Sequence, residues 1–235
     1  MRTQNVTYFD DDTELEGYLA FNSDISKPRP AVIVAHDWSG RNEFACQKAE
    51  KLAELGYVGF AIDMFGKDKF GQTTEEKSAL IEPFIKNRAL LQRRILSGYD
   101  ALKKIDIVDT TRIGAIGFCF GGMCVLDLAR MGTDLSAVVS FHGLLTPPDN
   151  TQSIKAKILA LHGHDDPMVP PTQVAAFQQE MTEHEAEWEM DIYGNTMHAF
   201  TNPVANDKDL GTVYNSLAEK RSWIAMQNFF TEVFL

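Results

Sequence analysis

The sequence has no hydrophobic run long enough to cross a bilayer, and its first residues lack the apolar core of a signal peptide. Cysteine is scarce, because only Cys46, Cys119 and Cys124 are present, without paired-motif spacing. That pattern excludes a disulfide scaffold and suits a reducing compartment. Low-complexity stretches and internal repeats are also absent, which excludes disordered and repeat proteins. These absences together predict a cytoplasmic, soluble protein.

Basic residues are in deficit, with 22 Lys and Arg against 33 Asp and Glu and a formal net charge of −11. Such a surface repels phosphate backbones and anionic lipids, so neither a nucleic-acid partner nor a membrane partner is expected. The 235 residues are 44% hydrophobic, which is enough for one sizeable core. We therefore predict a single domain over residues 1–235, as a monomer or homodimer. No separate cap domain is expected, although residues 64–87 are a candidate cover over the site.

Apolar strands alternate with helices along the chain. Ala31–His36 and Arg112–Phe118 are continuous apolar runs, typical of strands buried on both faces. Segments of helical periodicity follow the strands, the last of them predicted at Val213–Phe230. This order predicts an α/β fold with a mostly parallel central sheet and helices on both faces, so functional residues are expected at the carboxyl ends of the strands.

An acidic stretch lies near the end of the predicted sheet. Glu180–Asp191 holds six acidic residues and no Lys or Arg. We interpret it as a solvated helix-to-strand surface, because no cluster in the sequence has the spacing of metal ligands. No metal and no cofactor are predicted.

A small-residue turn between a predicted strand and helix carries the sharpest motif. Gly117–Gly122 fits the nucleophile-elbow pattern G-x-S-x-G, with Cys119 in the serine position. The glycines let strand and helix approach closely, and the helix N-terminus favours a thiolate. The alternatives are a buried structural cysteine, or a dinucleotide fingerprint whose glycine spacing is not met.

A cysteine nucleophile needs a base, and the sequence offers six histidines. In this architecture the chain order is nucleophile, acid, histidine. Two histidines, His184 and His198, follow both Cys119 and the strand-end acids, and His184 lies in a predicted helical stretch, so His198 is the predicted base. The other five, including His142, are expected to be surface or hydrogen-bonded structural residues.

The acid is expected in the loop Gly163–Pro170. Asp165 and Asp166 both lie there, and spacing alone does not separate them. Pro167 restricts the backbone of Asp166 to an extended conformation, which gives its side chain a fixed direction. Either aspartate could instead cap a turn.

Two backbone N–H groups are expected to form an oxyanion hole. One belongs to Phe120, the residue after the nucleophile, and the other to the loop after Ala31–His36, where Trp38 is the candidate. The pocket is predicted to include Asp37, Phe65 and Phe200, with the aromatic rings suggesting an apolar acyl group; each ring could equally belong to the core.

These motifs together resemble the dienelactone hydrolase family of the α/β-hydrolase superfamily. The resemblance rests on G-x-C-x-G-G at Cys119, G-x-x-D-P-x-V-P ending at Pro170, and Y-x-x-x-x-H-A-F around His198. It covers nearly the whole chain from Ala31 onward and implies the α/β-hydrolase fold. The residues that the resemblance implies for the triad are Cys119, Asp166 and His198, and those for the oxyanion hole are Trp38 and Phe120.

Two positions depart from the dienelactone-cleaving members of this family. Those enzymes have a glutamate in the first loop and an arginine four residues after the triad histidine, whereas Asp37 and Asn202 stand here. The departures count against dienelactone itself as the substrate. The predicted function is cysteine-dependent hydrolysis of a small carboxylic ester or lactone through an acyl-enzyme. A thioesterase or peptidase on the same site, or a non-catalytic ligand-binding homologue, is the alternative.

Overall fold

The computed structural model describes residues 1–24 and 27–235. The chain divides into two compact units, residues 1–116 and 117–235. Within the described residues, no helix has the combination of length and apolar character that spanning a membrane requires. The boundary between the units falls in the last part of a strand, just before the Gly117–Gly122 turn.

The first unit is an α/β unit that begins with an antiparallel hairpin. Its strands are β1 (Arg2–Asp10), β2 (Thr13–Phe21), β3 (Arg29–Ala35), β4 (Val58–Ile62) and β5 (Val108–Phe118, whose last two residues belong to the second unit). Its helices are α1 (Glu43–Glu54), α2 (Thr74–Lys86) and α3 (Arg88–Leu102). The strand order is β1-β2-β4-β3-β5, and β3 pairs with β4 in parallel.

The buried strands of this unit follow the apolar runs of the sequence. Every residue of β4 and the residues from Ala31 to Ala35 in β3 are buried, as their unalternated pattern predicts. Helix α1 packs closely on β4. A Cβ added at Gly59 would lie only 2.2 Å from the carbonyl oxygen of Ala49, so the contact leaves no room for a side chain at this position. The side chain of Asn42 begins α1 by accepting the N–H of Ala45.

The second unit is built on parallel strands. Its elements are α4 (Phe120–Arg130), β6 (Ala137–Phe141), β7 (Lys157–Gly163), α5 (Pro171–Glu183), β8 (Trp188–Tyr193), β9 (Asn206–Asp207), β10 (Thr212–Val213) and α6 (Ser216–Val233). Strands β6, β7 and β8 pair in parallel in that order. The short β9 and β10 form a separate antiparallel ribbon.

The prediction of a closing helix over Val213–Phe230 is wrong at both ends. Val213 lies in β10, and α6 begins only at Ser216 and runs on to Val233. The physical reason is Asn215, whose side-chain oxygen accepts the N–H groups of Leu217 and Ala218 and so fixes the first turn.

The prediction of a solvated surface over Glu180–Asp191 is wrong for its first residue. Glu180 is buried, and Arg130 donates to its two carboxylate oxygens from Nε at 2.8 Å and Nη2 at 2.7 Å. Val174, Phe177 and Met181 are buried on the same helix. Glu180 therefore belongs to the inner face of α5, and the two-pronged ion pair ties α4 to α5.

Candidate functional site

Cys119 occupies a strained turn between β5 and α4. Its backbone has φ +55° and ψ −116°, a region that residues other than glycine rarely adopt. The N–H of Cys119 donates to the carbonyl oxygen of Phe141 at 3.0 Å, and its own carbonyl oxygen accepts the N–H of Gly122 at 2.9 Å. These bonds hold a conformation with the geometry of a nucleophile elbow.

The glycines around Cys119 are required by close backbone approach. A Cβ at Gly117 would lie 2.0 Å from the carbonyl oxygen of Gly121, and one at Gly122 would lie 2.6 Å from the Cα of Gly143. Neither position has room for a side chain. The turn therefore needs glycine at the positions where the elbow pattern places it.

His198 and Asp166 form a buried hydrogen-bonded pair. Nδ1 of His198 lies 2.7 Å from Oδ2 of Asp166, and both side chains are almost completely buried. Because the carboxylate accepts, this nitrogen carries the proton and donates it. The other oxygen, Oδ1, accepts the N–H of Met168 at 2.8 Å, which fixes the direction of the carboxylate.

The ribbon strand β10 holds the backbone of His198. The N–H of His198 donates to the carbonyl oxygen of Gly211, and the N–H of Val213 donates to the carbonyl oxygen of His198, both at 3.0 Å. No pattern in the sequence points to this support, since each strand of the β9–β10 ribbon is only two residues long.

The structure separates the two candidate acids. Asp165 is exposed, while Asp166 is buried beside His198. The backbone N–H of Asp165 donates to the carbonyl oxygen of Thr196, which turns the loop so that the next side chain points inward. Asp166, and not Asp165, is therefore the residue that the fold brings to the histidine.

The charge balance around His198 favours its protonated form. Burial, the largest effect, lowers the pKa of His198, but the charge of Cys119 together with the hydrogen bond and charge of Asp166 outweighs it and raises the pKa to about 10. Nε2 of His198 is buried and makes no hydrogen bond of ordinary geometry with a described residue. Cys119 nevertheless lies near enough for its charge to act on the ring.

His142 is a neighbour of the site that the motifs did not single out. It follows β6 with φ +39°, and its Nδ1 lies 3.2 Å from the backbone nitrogen of Cys119. Its Nε2 lies 2.8 Å from Oγ1 of Thr201, and its ring stands edge-on to that of His198, with centroids 5.2 Å apart. The expectation of a hydrogen-bonded structural histidine did not include its contact with the backbone of Cys119.

Two aromatic residues predicted for the site are buried in the second unit. The ring of Phe200 packs edge-on to His142 and Tyr193, with centroids 5.0 and 5.6 Å apart. Phe120 begins α4, and its backbone N–H therefore belongs to the first helical turn. A pocket role for Phe200 and an oxyanion role for Phe120 stay predictions.

The remaining predicted residues belong to the first unit. Asp37 is buried, and its Oδ1 accepts the N–H of Ser39 at 2.8 Å. Trp38 is half-buried under Nζ of Lys77, which lies 5.5 Å from the indole centroid. Phe65 is buried with its ring edge-on to His36, at a centroid distance of 4.7 Å. Their roles toward a substrate stay predictions.

The segment predicted as a cover, residues 64–87, contains α2 and packs on the loop of Trp38. The N–H of Gly71 donates to the carbonyl oxygen of Ser39 at 3.0 Å. A Cβ at Gly40 would lie 2.7 Å from the carbonyl oxygen of Lys69, so the segment and the loop are in close backbone contact. A covering role stays a prediction.

A family model described as the dienelactone hydrolase family matches residues 15–234. The chain belongs to the dienelactone hydrolase family. As a dienelactone hydrolase family member with the α/β-hydrolase fold, it is a hydrolase of carboxylic esters or lactones. The sequence-based prediction of family and fold is thereby confirmed.

Relatives of this dienelactone hydrolase family member include enzymes and solved structures. An uncharacterized protein of Caenorhabditis elegans is 39% identical over 152 residues, which cover 61% of this chain and 94% of the relative. A Bradyrhizobium protein named "Probable 2-oxo-3-(5-oxofuran-2-ylidene)propanoate lactonase" is 28% identical, covering 83% of this chain and 80% of its own length. The crystal structure of a dienelactone hydrolase-like promiscuous phosphotriesterase from metagenomic libraries is 36% identical, with a TM-score of 0.94, covering 100% of this chain and 99% of its own.

Replacing Cys119 by alanine is expected to lower the pKa of His198. The thiolate that raises it is then gone, while burial continues to lower it. Since the folded-state pKa lies above the unfolded value of about 6.5, protonated His198 stabilises the folded chain fully below that pH. This contribution is lost as pH rises toward about 10 in the wild type, and earlier in the variant. NMR titration of the His198 ring measures the change; an identical pKa in Cys119→Ala contradicts the coupling.

Proposed function

We propose that this chain hydrolyses activated carboxylic esters and strained lactones, with Cys119 as nucleophile, His198 as base and Asp166 as the group that orients the base. The observation that carries the proposal is the buried 2.7 Å hydrogen bond between Asp166 and His198, whose ring responds to the charge of Cys119. A nucleophile, a base and an orienting acid in this relation are the requirement for covalent acyl transfer.

In the first half-reaction Nε2 of His198 holds the proton of the Cys119 thiol, as the raised pKa of that ring favours, and the sulfur attacks the substrate carbonyl carbon. The C–S bond forms while the carbonyl electron pair moves to oxygen, giving a tetrahedral oxyanion. As the carbonyl re-forms, the bond to the leaving oxygen breaks, and His198 returns its proton to that oxygen. Asp166 stays ionised throughout and supports the imidazolium.

In the second half-reaction water replaces the alcohol. His198 takes a proton from water through Nε2, and the hydroxide oxygen attacks the thioester carbonyl carbon. The C–S bond then breaks, the carboxylic acid leaves, and the sulfur and His198 return to their starting state. The unpartnered Nε2 suits this role, since it must accept a proton in both halves.

The proposed oxyanion donors are the backbone N–H groups of Phe120 and Trp38. The first is supported by the position of Phe120 at the start of α4, where the helix dipole favours negative charge. The second is supported by the position of Trp38 in the loop after Ala31–His36 and by the family resemblance. Losing one such donor costs on the order of 100- to 1000-fold in rate.

The proposed substrates have a good leaving group or ring strain. A tetrahedral adduct can expel the thiolate as well as the alcohol, so esters with stable alkoxides are favoured over amides. The relative named as a lactonase supports the lactone class. Asn202 stands at the family's carboxylate-binding arginine position, and its Oδ1 accepts the N–H of Val204, so a carboxylate-bearing dienelactone is not the proposed substrate.

Asp166→Asn is expected to reduce hydrolysis of a short p-nitrophenyl ester by about 10³- to 10⁴-fold, because the amide no longer holds the tautomer of His198. The matched control is Asp165→Asn, which makes the same change on an exposed neighbour and is expected to leave the rate within about twofold. Steady-state kinetics on both variants measure the difference. Equal losses in the two variants, or none in either, would refute the proposed triad.

Phosphotriester hydrolysis is a second candidate function. The observation that favours it is the 36% identity, over the whole chain, to a structure described as a promiscuous phosphotriesterase. The same chemistry applies: the thiolate attacks phosphorus, the aryloxide leaves, and water then breaks the S–P bond with a proton taken by His198.

Wild-type protein is expected to release p-nitrophenolate from a dialkyl p-nitrophenyl phosphate, and Cys119→Ala is not. The rate is expected to be lower than for the matching carboxylic ester, because the S–P intermediate must also be hydrolysed. Spectrophotometric assays with mass analysis of the Cys119 peptide check this. Release that persists in Cys119→Ala would separate phosphotriester cleavage from the proposed nucleophile.

A further inference from the structure

The nucleophile's backbone hydrogen bond to a histidine ring is the feature that the proposed triad leaves unused. The N–H of Cys119 faces both the carbonyl oxygen of Phe141 at 3.0 Å and Nδ1 of His142 at 3.2 Å. An N–H group can only donate, so Nδ1 of His142 must accept and cannot carry a proton. This requirement fixes the protonation state of a buried side chain.

The opposite edge of the His142 ring is consistent with that state. Nε2 lies 2.8 Å from Oγ1 of Thr201, and both residues are buried. A neutral imidazole with an acceptor at Nδ1 has its proton on Nε2, which then donates to the threonine oxygen. The contact with the N–H of Cys119 selects this tautomer, and the hydroxyl of Thr201 completes it by accepting the proton of Nε2.

The same ring also contacts the proposed base. The centroids of His142 and His198 are 5.2 Å apart, with the planes at 65°. Phe200 also packs edge-on to the ring of His142, with centroids 5.0 Å apart. His142 therefore touches the backbone of the nucleophile and the ring of the base at once, and its own φ of +39° shows a backbone shaped to present it.

We propose that His142 is a positioning residue of this hydrolase: a neutral imidazole, oriented by Thr201, that holds the backbone of Cys119 and the ring of His198 in register. The proposal rests on the proposed function, since it concerns the relation between that nucleophile and that base. Strain at Cys119 makes such support necessary, because a residue at φ +55° relaxes unless its surroundings hold it. A misplacement of about 1 Å between reacting groups can cost on the order of 100-fold in rate.

The test compares two substitutions of similar size at one position. His142→Asn keeps an acceptor oxygen near the place of Nδ1, and asparagine tolerates positive φ. Leucine has the same number of non-hydrogen side-chain atoms as asparagine, but His142→Leu provides no acceptor for the N–H of Cys119. Both lose the ring, so they differ in the acceptor for the N–H of Cys119 and in their tolerance of positive φ, and the free energy of unfolding of each variant measures the second difference. His164→Leu, at an exposed histidine, is the control for the change of residue type.

Two readouts separate positioning from mere stability. The first readout is kcat and KM for a p-nitrophenyl ester. The second is the rate at which iodoacetamide alkylates Cys119 across a range of pH. The free energy of unfolding is measured for each variant as the record of its stability. We expect His142→Leu to lose about 100-fold in kcat with KM within about threefold, and its alkylation profile to move. His142→Asn should recover at least tenfold of that loss, and His164→Leu should match the wild type.

Thr201→Val tests the tautomer without altering the histidine. It removes the acceptor for Nε2 while keeping the side-chain shape, so we expect a loss in kcat of about tenfold with little change in KM. This variant also serves if His142→Leu fails to fold. Wild-type kcat in Thr201→Val, or in a folded His142→Leu, would overturn the proposal, as would equal losses in His142→Asn and His142→Leu.

Failure of the proposed function and failure of the positioning role give different experimental results. If Cys119→Ala hydrolyses the ester as the wild type does, the nucleophile is wrong. The alkylation profile still reports on Cys119 itself, so its shift or constancy in the His142 variants decides the positioning role by that readout alone. A shifted profile supports the proposal, and an unshifted one contradicts it.

Discussion

The buried hydrogen bond between Asp166 and His198 is the interaction on which the rest of the second unit's site depends. Removing a carboxylate and an imidazole from water is unfavourable unless each finds partners. Asp166 has two, His198 and the N–H of Met168, and His198 is held through its backbone by β10. With Nδ1 committed to the carboxylate, Nε2 is the only ring nitrogen left for proton transfer. The geometry therefore leaves Nε2 as the atom through which His198 can exchange a proton with another group.

The Cys119 side of the site depends on backbone strain that the surrounding packing holds in place. Cys119 keeps a positive φ because glycine at 117 and 122 lets the backbone close around it, and because its N–H is held by Phe141 and His142. Helix α4, which starts at the next residue, is fixed to α5 by the buried Arg130–Glu180 pair. Breaking such a pair leaves an uncompensated buried charge and costs several kcal/mol. An ion pair far along α4 thus supports the start of the helix.

Features that depend on neighbouring residues could be predicted from the sequence, whereas contacts between distant residues could not. The apolar runs of β3 and β5 and the elbow glycines follow from local chemistry, and Pro167 already favoured a fixed direction for Asp166. The burial of Glu180 against Arg130, the support of His198 by Val213 and the contact of His142 with Thr201 join residues that are 50, 15 and 59 positions apart and that only folding brings together. A histidine satisfied at both ring nitrogens looks the same in sequence whether its partner is a nucleophile's backbone or any other N–H group.

The most direct test of this account is to trap the covalent intermediate. Wild-type protein and Cys119→Ala are mixed with p-nitrophenyl trimethylacetate, whose bulky acyl group slows attack by water, and are quenched in acid before peptide mass analysis. The account predicts a burst of p-nitrophenolate and a trimethylacetyl group on the Cys119 peptide of the wild type, with neither in the variant. An acyl group on a different residue, or undiminished hydrolysis in Cys119→Ala, would contradict it.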